Sequence, residues 1–480
     1  MSEADAIAWV EARRDAVLHT LLDFVAIPSV STDPAYADGI TQAASFLAGR
    51  LTAAGLEHAA VRPTGGHPVV TADWLGAPGA PTLLIYGHYD VQPPDPLDKW
   101  ASPPFAGTIR DNRLYARGVS DDKGPLLVAI TAIQALLATA GKLPVNIKIL
   151  VEGEEEMGSA NLEPFVAAHT EELRADFVLS ADGAMWRADL PTVTVASRGN
   201  CALDVTVHGA AKDLHSGRHG GAVANPIQAL AKLLTSLHRD DGAVAVAGFY
   251  DRVRALPNAA RAEIANIPFD EAAYLASIGA PAGVGEAGFS LLERNWIRPT
   301  LEFNGIAGGY GGAGRKTVIP ASALAKISCR LVPDQDALEI LHLIEAHLRA
   351  HCPHGVTLEV FLHKGVSQPY AIADDHPALQ LAMRILEELY GQTARPVRMG
   401  ATIPIGEIFS RCLGIDTVFF SFSTADEDYH APNEFFRLSR LWDGVRAWIA
   451  YLSRAGQSQP GPDPQARRTL NRSETFFSQS

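Results

Sequence analysis

Apolar residues along this chain follow two rhythms. Between 4 and 26, Ile7, Val10, Val17, Leu18, Leu21 and Leu22 recur at helical spacing, which predicts a helix there. A second helix is predicted over 40–54, stopped by Gly55. The run TLLIYGHYDV (82–91) reads as a buried strand. LLVAITAIQALLATAG (126–141) reads as a helix closed by glycine, and VNIKILVEGEEE (145–156) and ADFVLSADG (175–183) as strands with polar ends. Strands alternating with helices predict an α/β sheet with parallel pairs. Ligands of such a sheet lie at the carboxyl ends of its strands.

The texture changes near 197. CALDVTVHG (201–209) alternates like a half-exposed strand, and NPIQALAKLLTSLH (225–238) is an amphipathic helix with asparagine as N-cap and proline at its first position. KTVIPASALAKISCRLVP (316–333) alternates again, ALEILHLIEAHLRAHC (337–352) is helical and VTLEVFLHKG (356–365) is a strand. The α/β pattern then resumes with a helix at 376–390, a strand at 416–423 and a closing helix at 437–454. The expected fold is α/β in two domains. One domain is built from 1–197 and 373–455, with an α+β domain, 198–372, inserted between its parts. The polar, proline-rich residues 456–480 are expected to form a disordered tail.

With 480 residues the chain has room for two or more real cores, and 47% hydrophobic and 20% charged residues are ordinary for a globular protein. A net charge of −14 argues against nucleic acid as a partner. Four scattered cysteines form no paired motif and read as free thiols of a reducing compartment. The charged start lacks an apolar signal core, and no uninterrupted apolar window of roughly 18 residues is present. A cytoplasmic protein with no membrane partner is therefore expected.

Five short stretches place metal-liking residues where strands should end: GHYDVQP (87–93), GVSDDKGP (118–125), EGEEEMGS (152–159), LSADGA (179–184) and DEDYHAPNE (426–434). They offer His88, Asp121, Glu156, Asp182 and His430, with Asp90 and Glu155 beside them. Oxygen and imidazole donors without thiolate suit two zinc-like divalent ions sharing a carboxylate. A spare glutamate next to a ligand glutamate is what metal-assisted hydrolysis needs as general base. Asp90, two residues from His88 on a strand, points to the same face. Taken singly, each stretch also has a plainer reading: a polar strand end, a solvated turn, a helix cap or an ordinary loop.

In order and spacing, GHYDVQP, ARGVSDDKGP, EGEEEMGS, LSADG and HAPNE closely resemble the motif series of the di-zinc aminoacylase, carboxypeptidase and carnosinase family of metallopeptidases. The likeness runs from about residue 10 to 455. DLHSGRHGG (213–221), NGIAGGYGGAGRKTVIPA (304–321) and CRLVPDQD (329–336) resemble the carnosinase-type dipeptidase branch. The resemblance implies a zinc-hydrolase catalytic domain with an inserted lid and dimerisation domain. His88, Asp182 and the shared Asp121 would hold one zinc, and Glu156, His430 and Asp121 the other. Asp90 would orient His88, and Glu155 would serve as general base and acid. Asp121–Asp122 matches a place where the family uses a cis non-proline peptide. His215 matches a lid histidine that stabilises the oxyanion, in many relatives within the neighbouring subunit. Arg330 matches the arginine that holds the substrate's terminal carboxylate. MGATIP (399–404) matches a glycine-rich loop in which Gly400 and Thr402 would assist, threonine replacing the more usual serine. His363 weakly matches another substrate-binding histidine. Asn304 is a further substrate-facing candidate, although a turn residue before glycine explains it equally well.

The implied activity is hydrolysis of the amide bond of dipeptides or very short peptides with a free carboxyl terminus. It would use a hydroxide bridging two metal ions, zinc or else manganese or cobalt, in a homodimer. One alternative keeps the metals and removes an N-acyl, N-carbamoyl or N-succinyl group from an amino acid. Another is a non-catalytic binding protein of the same fold, against which an intact base and five ligands speak.

Overall fold

The strand Thr82–His88 is buried from Leu83 to His88, which is why its sequence is continuously apolar and does not alternate. In the computed structural model, which describes residues 2–456, it lies inside a sheet. The strand pairs in parallel with Asn146–Glu152 on one side and Phe177–Ser180 on the other. The order across the sheet is Glu57–Arg62, Val69–Trp74, Asn146–Glu152, Thr82–His88, Phe177–Ser180, Thr417–Phe419 and Thr192–Ser197. The first two pairings and the last of these are antiparallel, so the sheet is mixed with a parallel centre. Parallel neighbours need crossovers, and the helix Gly124–Ala140 supplies one between the two innermost strands. It packs against Leu438–Ala455 and Glu3–Glu11 and ends at Gly141, whose φ of +66° closes it in the left-handed region. The segment Val119–Ala140 is long and apolar enough to cross a membrane by composition, but 72% of that window is buried in this packing.

The helix expected over 4–26 is two helices, Glu3–Glu11 and Arg14–Val25. Arg13 leaves helical geometry (φ −128°, ψ 16°), and residues 11–15 offer no large apolar side chain to hold a continuous helix against the core. The second predicted helix spans Ala37–Ala53. The strands Glu57–Arg62 and Val69–Trp74 and the helix Pro404–Leu413 were not expected from the pattern.

The chain divides into two compact units. Of the described residues, one holds 2–195, Ile372–Val397 and 405–456; the other holds Ala196–Ala371 and Arg398–Pro404. The second unit is built on a four-stranded antiparallel sheet ordered Thr300–Gly308, Ser322–Leu331, Gly199–His208, Thr357–Leu362. Burial along Gly199–His208 alternates strictly, and the buried residues Leu203, Val205 and Val207 share a core with Leu230, Leu233, Ile340 and Ile344 from the helices Pro226–Ser236 and Ala337–Ala350. Asn225 caps the first of these helices through its side-chain oxygen, which accepts the Ile227 N–H at 3.0 Å. Three short helices between 258 and 296 complete this unit. All four cysteines are free, with Cys201 and Cys329 buried opposite one another on adjacent strands. Beyond Gly456 the expected tail lies outside the described residues.

Candidate metal centre

Five loops at the carboxyl ends of the first unit's strands converge, and each is positioned by its own chain logic. His88 ends the central strand and is fully buried. Asp121 sits in the tight turn Val119–Lys123, which contains the cis Asp121–Asp122 peptide. The turn begins at Gly118 (φ +78°), where a Cβ would collide with the Val91 side chain, so only glycine fits. Glu155 and Glu156 lie in a single 3₁₀ turn just after Asn146–Glu152, and Asp182 lies just past Phe177–Ser180. His430 comes from a loop in which Asp428, His430 and Asn433 all have positive φ (52°, 65° and 68°), a conformation uncommon without glycine. Asn433 ties that loop down, accepting the Ala101 N–H at 2.8 Å and donating to the Lys99 carbonyl at 3.0 Å.

Asp121 stands between the two imidazoles. Its Oδ1 lies 2.9 Å from His88 Nε2 and its Oδ2 3.0 Å from His430 Nε2. Asp182 Oδ1 is 4.0 Å from His88 Nε2, and Glu156 Oε2 is 3.0 Å from His430 Nε2. Two trios of donor atoms result, His88–Asp121–Asp182 and Asp121–Glu156–His430, each lying within 4.8 Å. The expected ligands thus come together from positions far apart in the chain. Asp90 has two tasks. Its backbone carbonyl accepts from His88 Nδ1 at 3.1 Å, with its carboxylate 3.4 Å away. That carboxylate also accepts the backbone N–H of Glu155 at 3.2 Å and of Glu156 at 3.1 Å, fixing the turn that bears both glutamates. The sequence leads to the expectation that the Asp90 carboxylate orients His88; in the structure the backbone carbonyl is the nearer acceptor.

The electrostatics are those of crowded acids around two rings. Burial first, then the charges of Asp182, Asp121 and Glu156, push the Glu155 carboxyl well above its usual range, with His88 opposing. Burial likewise raises Asp182 to about 6. Hydrogen bonds to Asp121 and Glu156 raise His430 to about 10 against the effect of burial. Burial opposes charge on Asp121 too, but hydrogen bonds from His430 and His88 hold its carboxyl well below the ordinary range. Mutually repelling carboxylates with neutralisable imidazoles, and no thiolate among them, fit divalent cations that take oxygen and nitrogen ligands.

Two buried acids outside the ligand set hold the Asp121 turn. Glu434 Oε2 accepts from Arg117 Nη1 at 2.6 Å and from the Gly118 N–H at 2.8 Å, while Oε1 accepts the Ser120 N–H at 2.9 Å. Glu427 Oε2 accepts the Ser120 hydroxyl at 2.7 Å. The motif DEDYHAPNE contains both, but nothing in its spacing distinguishes them from solvated loop acids.

The remaining expected residues lie in the second unit. Arg330 Nη1 donates to Thr402 Oγ1 at 2.8 Å, and Gly400 is bound through its carbonyl to Arg198 Nε at 2.7 Å. A Cβ at Gly400 would collide with Asn295 Oδ1, which accounts for the glycine. His215 Nδ1 accepts the Gly217 N–H at 3.0 Å, so the ring's proton is on Nε2 and its exposed nitrogen is a donor. His363 Nε2 is engaged by Asp204 Oδ1 at 3.0 Å, and Asn304 is exposed where the Thr300–Gly308 strand slips register. Among the described residues no hydrogen bond links either to the Arg330–Thr402 pair.

The family model for peptidase family M20/M25/M40 matches residues 84–454. The Cys-Gly metallodipeptidase of Schizosaccharomyces pombe is 29% identical over 466 residues, covering 94% of this chain and 98% of its own. The Beta-Ala-His dipeptidase of Homo sapiens is 30% identical over 466 residues, covering 94% and 92%. Among solved structures, an M20 family metallo-carboxypeptidase from Sulfolobus solfataricus superposes with a TM-score of 0.78 at 32% identity, covering 92% of this chain and 99% of that one.

Proposed function

This chain belongs to peptidase family M20/M25/M40, and from that premise we propose that it hydrolyses the amide bond of dipeptides or very short peptides bearing a free carboxyl terminus. His88, Asp121 and Asp182 would hold one divalent ion, and Asp121, Glu156 and His430 the other. Bound there, the two cations supply the positive charge that acidifies a water and polarises an amide carbonyl. Glu155 takes the proton of the attacking water and returns it to the leaving amine nitrogen. His215, a donor at Nε2, stabilises the oxyanion in the neighbouring subunit of a homodimer. Arg330, with Gly400 and Thr402, holds the terminal carboxylate. Asn304 and His363 serve as outlying substrate contacts. Zinc is the proposed metal, manganese and cobalt being compatible with the same donors. Four free thiols suit a reducing compartment, and we assign the protein to the cytoplasm.

The observation that carries this reading is the place of Glu155: Asp90 holds its backbone N–H in the turn beside both donor trios, and its carboxyl belongs to neither. The names of two relatives, Cys-Gly metallodipeptidase and Beta-Ala-His dipeptidase, support short peptides as the substrates here. A panel of free dipeptides, C-terminally amidated dipeptides and N-acyl, N-carbamoyl and N-succinyl amino acids, run on metal-loaded enzyme, tests it. Turnover should be fastest on free dipeptides, and preference for an acyl amino acid would replace the peptidase reading with an amidohydrolase one.

A further inference from the structure

The second unit contains two arginines whose charges bear on one another, Arg198 and Arg330, both bonded to the 400–402 loop. Arg198 stands just before the strand Gly199–His208, in which Asn200 lies opposite Arg330. It is only 7% exposed. Its Nε donates to the Gly400 carbonyl at 2.7 Å, and its backbone N–H donates to the Ala401 carbonyl at 3.1 Å. Its Nη1 is buried and has no hydrogen-bond partner among the described residues. Burial first, then the Arg330 charge, bring its pKa down to about 10, with Glu302 acting the other way from a distance. A buried guanidinium ordinarily has a carboxylate against it, because desolvating an unpaired charge is costly. This one is bonded to a neutral carbonyl and repelled by a second cation. The uncompensated positive charge beside Arg330 suits a seat that receives an anion.

We propose that Arg198 is a positioning and specificity-determining residue for the substrate carboxylate, a conclusion that rests on the dipeptidase reading above. It fixes the Gly400–Thr402 loop against which Arg330 is set, and it adds a second, desolvated positive charge to that seat. Asn295, pressed against Gly400, braces the same loop. Arg330 makes the direct contact, and Arg198 acts through the loop and through its field, which burial leaves poorly screened.

Two variants separate charge from tethering. Arg198→Gln can still donate to the Gly400 carbonyl but carries no charge, whereas Arg198→Lys keeps the charge and loses the planar fork. Both are assayed on a free dipeptide and its C-terminal amide, with metal content and melting temperature measured alongside. The glutamine variant should raise KM for the free dipeptide about tenfold with kcat little changed, and leave the amide unaffected. The lysine variant should recover most of that loss. An unchanged KM in the glutamine variant, or an equal kcat loss on both substrates in both variants, would make Arg198 a structural tether and overturn the proposal. If the glutamine variant does not fold, the lysine variant decides: a KM within about threefold of native, with the preference for the free carboxylate kept, supports the proposal, and loss of that preference overturns it. Indifference of the native enzyme to amidation would instead sink the dipeptidase reading, and this inference with it.

Discussion

Glu434 Oε1 accepts the backbone N–H of Asp121 at 3.3 Å, so the carboxylate shared by both donor trios is held in place by a second acid that is not a ligand. The same glutamate is paired with Arg117, and both side chains are only 1% exposed. Glu434→Ala should therefore destabilise the metal-free protein by about 3–5 kcal/mol, since it leaves a buried guanidinium unpaired. It should also lower metal content. Urea unfolding and elemental analysis check both, and a native-like alanine variant would show that the Asp121 turn holds itself.

Metal uptake should release protons. Hydrogen bonds to Asp121 and Glu156 raise His430 to about 10, and Asp121 and Asp90 raise His88 well above the usual range despite burial. These contacts favour the protonated rings in the metal-free protein, and both rings must become neutral to bind metal. The raised pKa values set the sign: affinity falls as pH falls. Calorimetry at pH 7 in buffers of differing ionisation heat should find net proton release on full loading. Chelation should abolish turnover, and zinc, cobalt or manganese should restore it. Proton-neutral binding would contradict the assigned histidine ligands.

The adjacent glutamates should separate cleanly. Glu155→Gln is expected to keep both metals and the fold while turnover falls at least ~100-fold, the scale of a lost general base. Glu156→Gln should lose metal from the His430 trio. Metal titration beside steady-state kinetics reads this out, and equal metal loss in both variants would mean that their tasks are reversed.

His215 should work in trans. Mixing inactive Glu155→Ala and His215→Ala chains under conditions of free subunit exchange should return about a quarter of native activity. Half the dimers are then mixed, and each has one complete site of two. Exchange is verified by labelling the chains differently. No recovery after exchange would assign His215 to its own subunit or to no catalytic role.

The α/β plan was legible because its signals are local. A strand buried on both faces must be continuously apolar, as Leu83 to Tyr86 are, and a helix that stops at Gly141 announces its end in the residue itself. The candidate ligands stood out for a different reason: five stretches together offered oxygen and imidazole donors without a thiolate. The break at Arg13 was missed because Val10 and Val17 are in helical register across residues 11–15, and the lack of a large apolar side chain between them was not weighed. The strand Glu57–Arg62 was missed because its burial is partial and irregular.

What the sequence determined by itself was chemistry and order: which donor types exist, that they follow strands, and that two glutamates stand side by side. Only the tertiary structure decided which of them meet. Arg198 reaches Gly400 across 202 positions, and Arg117 reaches Glu434 across 317. Neither partner carries a local mark, since an arginine before a strand and a glutamate in a loop are ordinary surface residues until folding removes their water. Burial then turns each into a group that must be paired, and which pairing is made depends on chain path and not on neighbours in sequence.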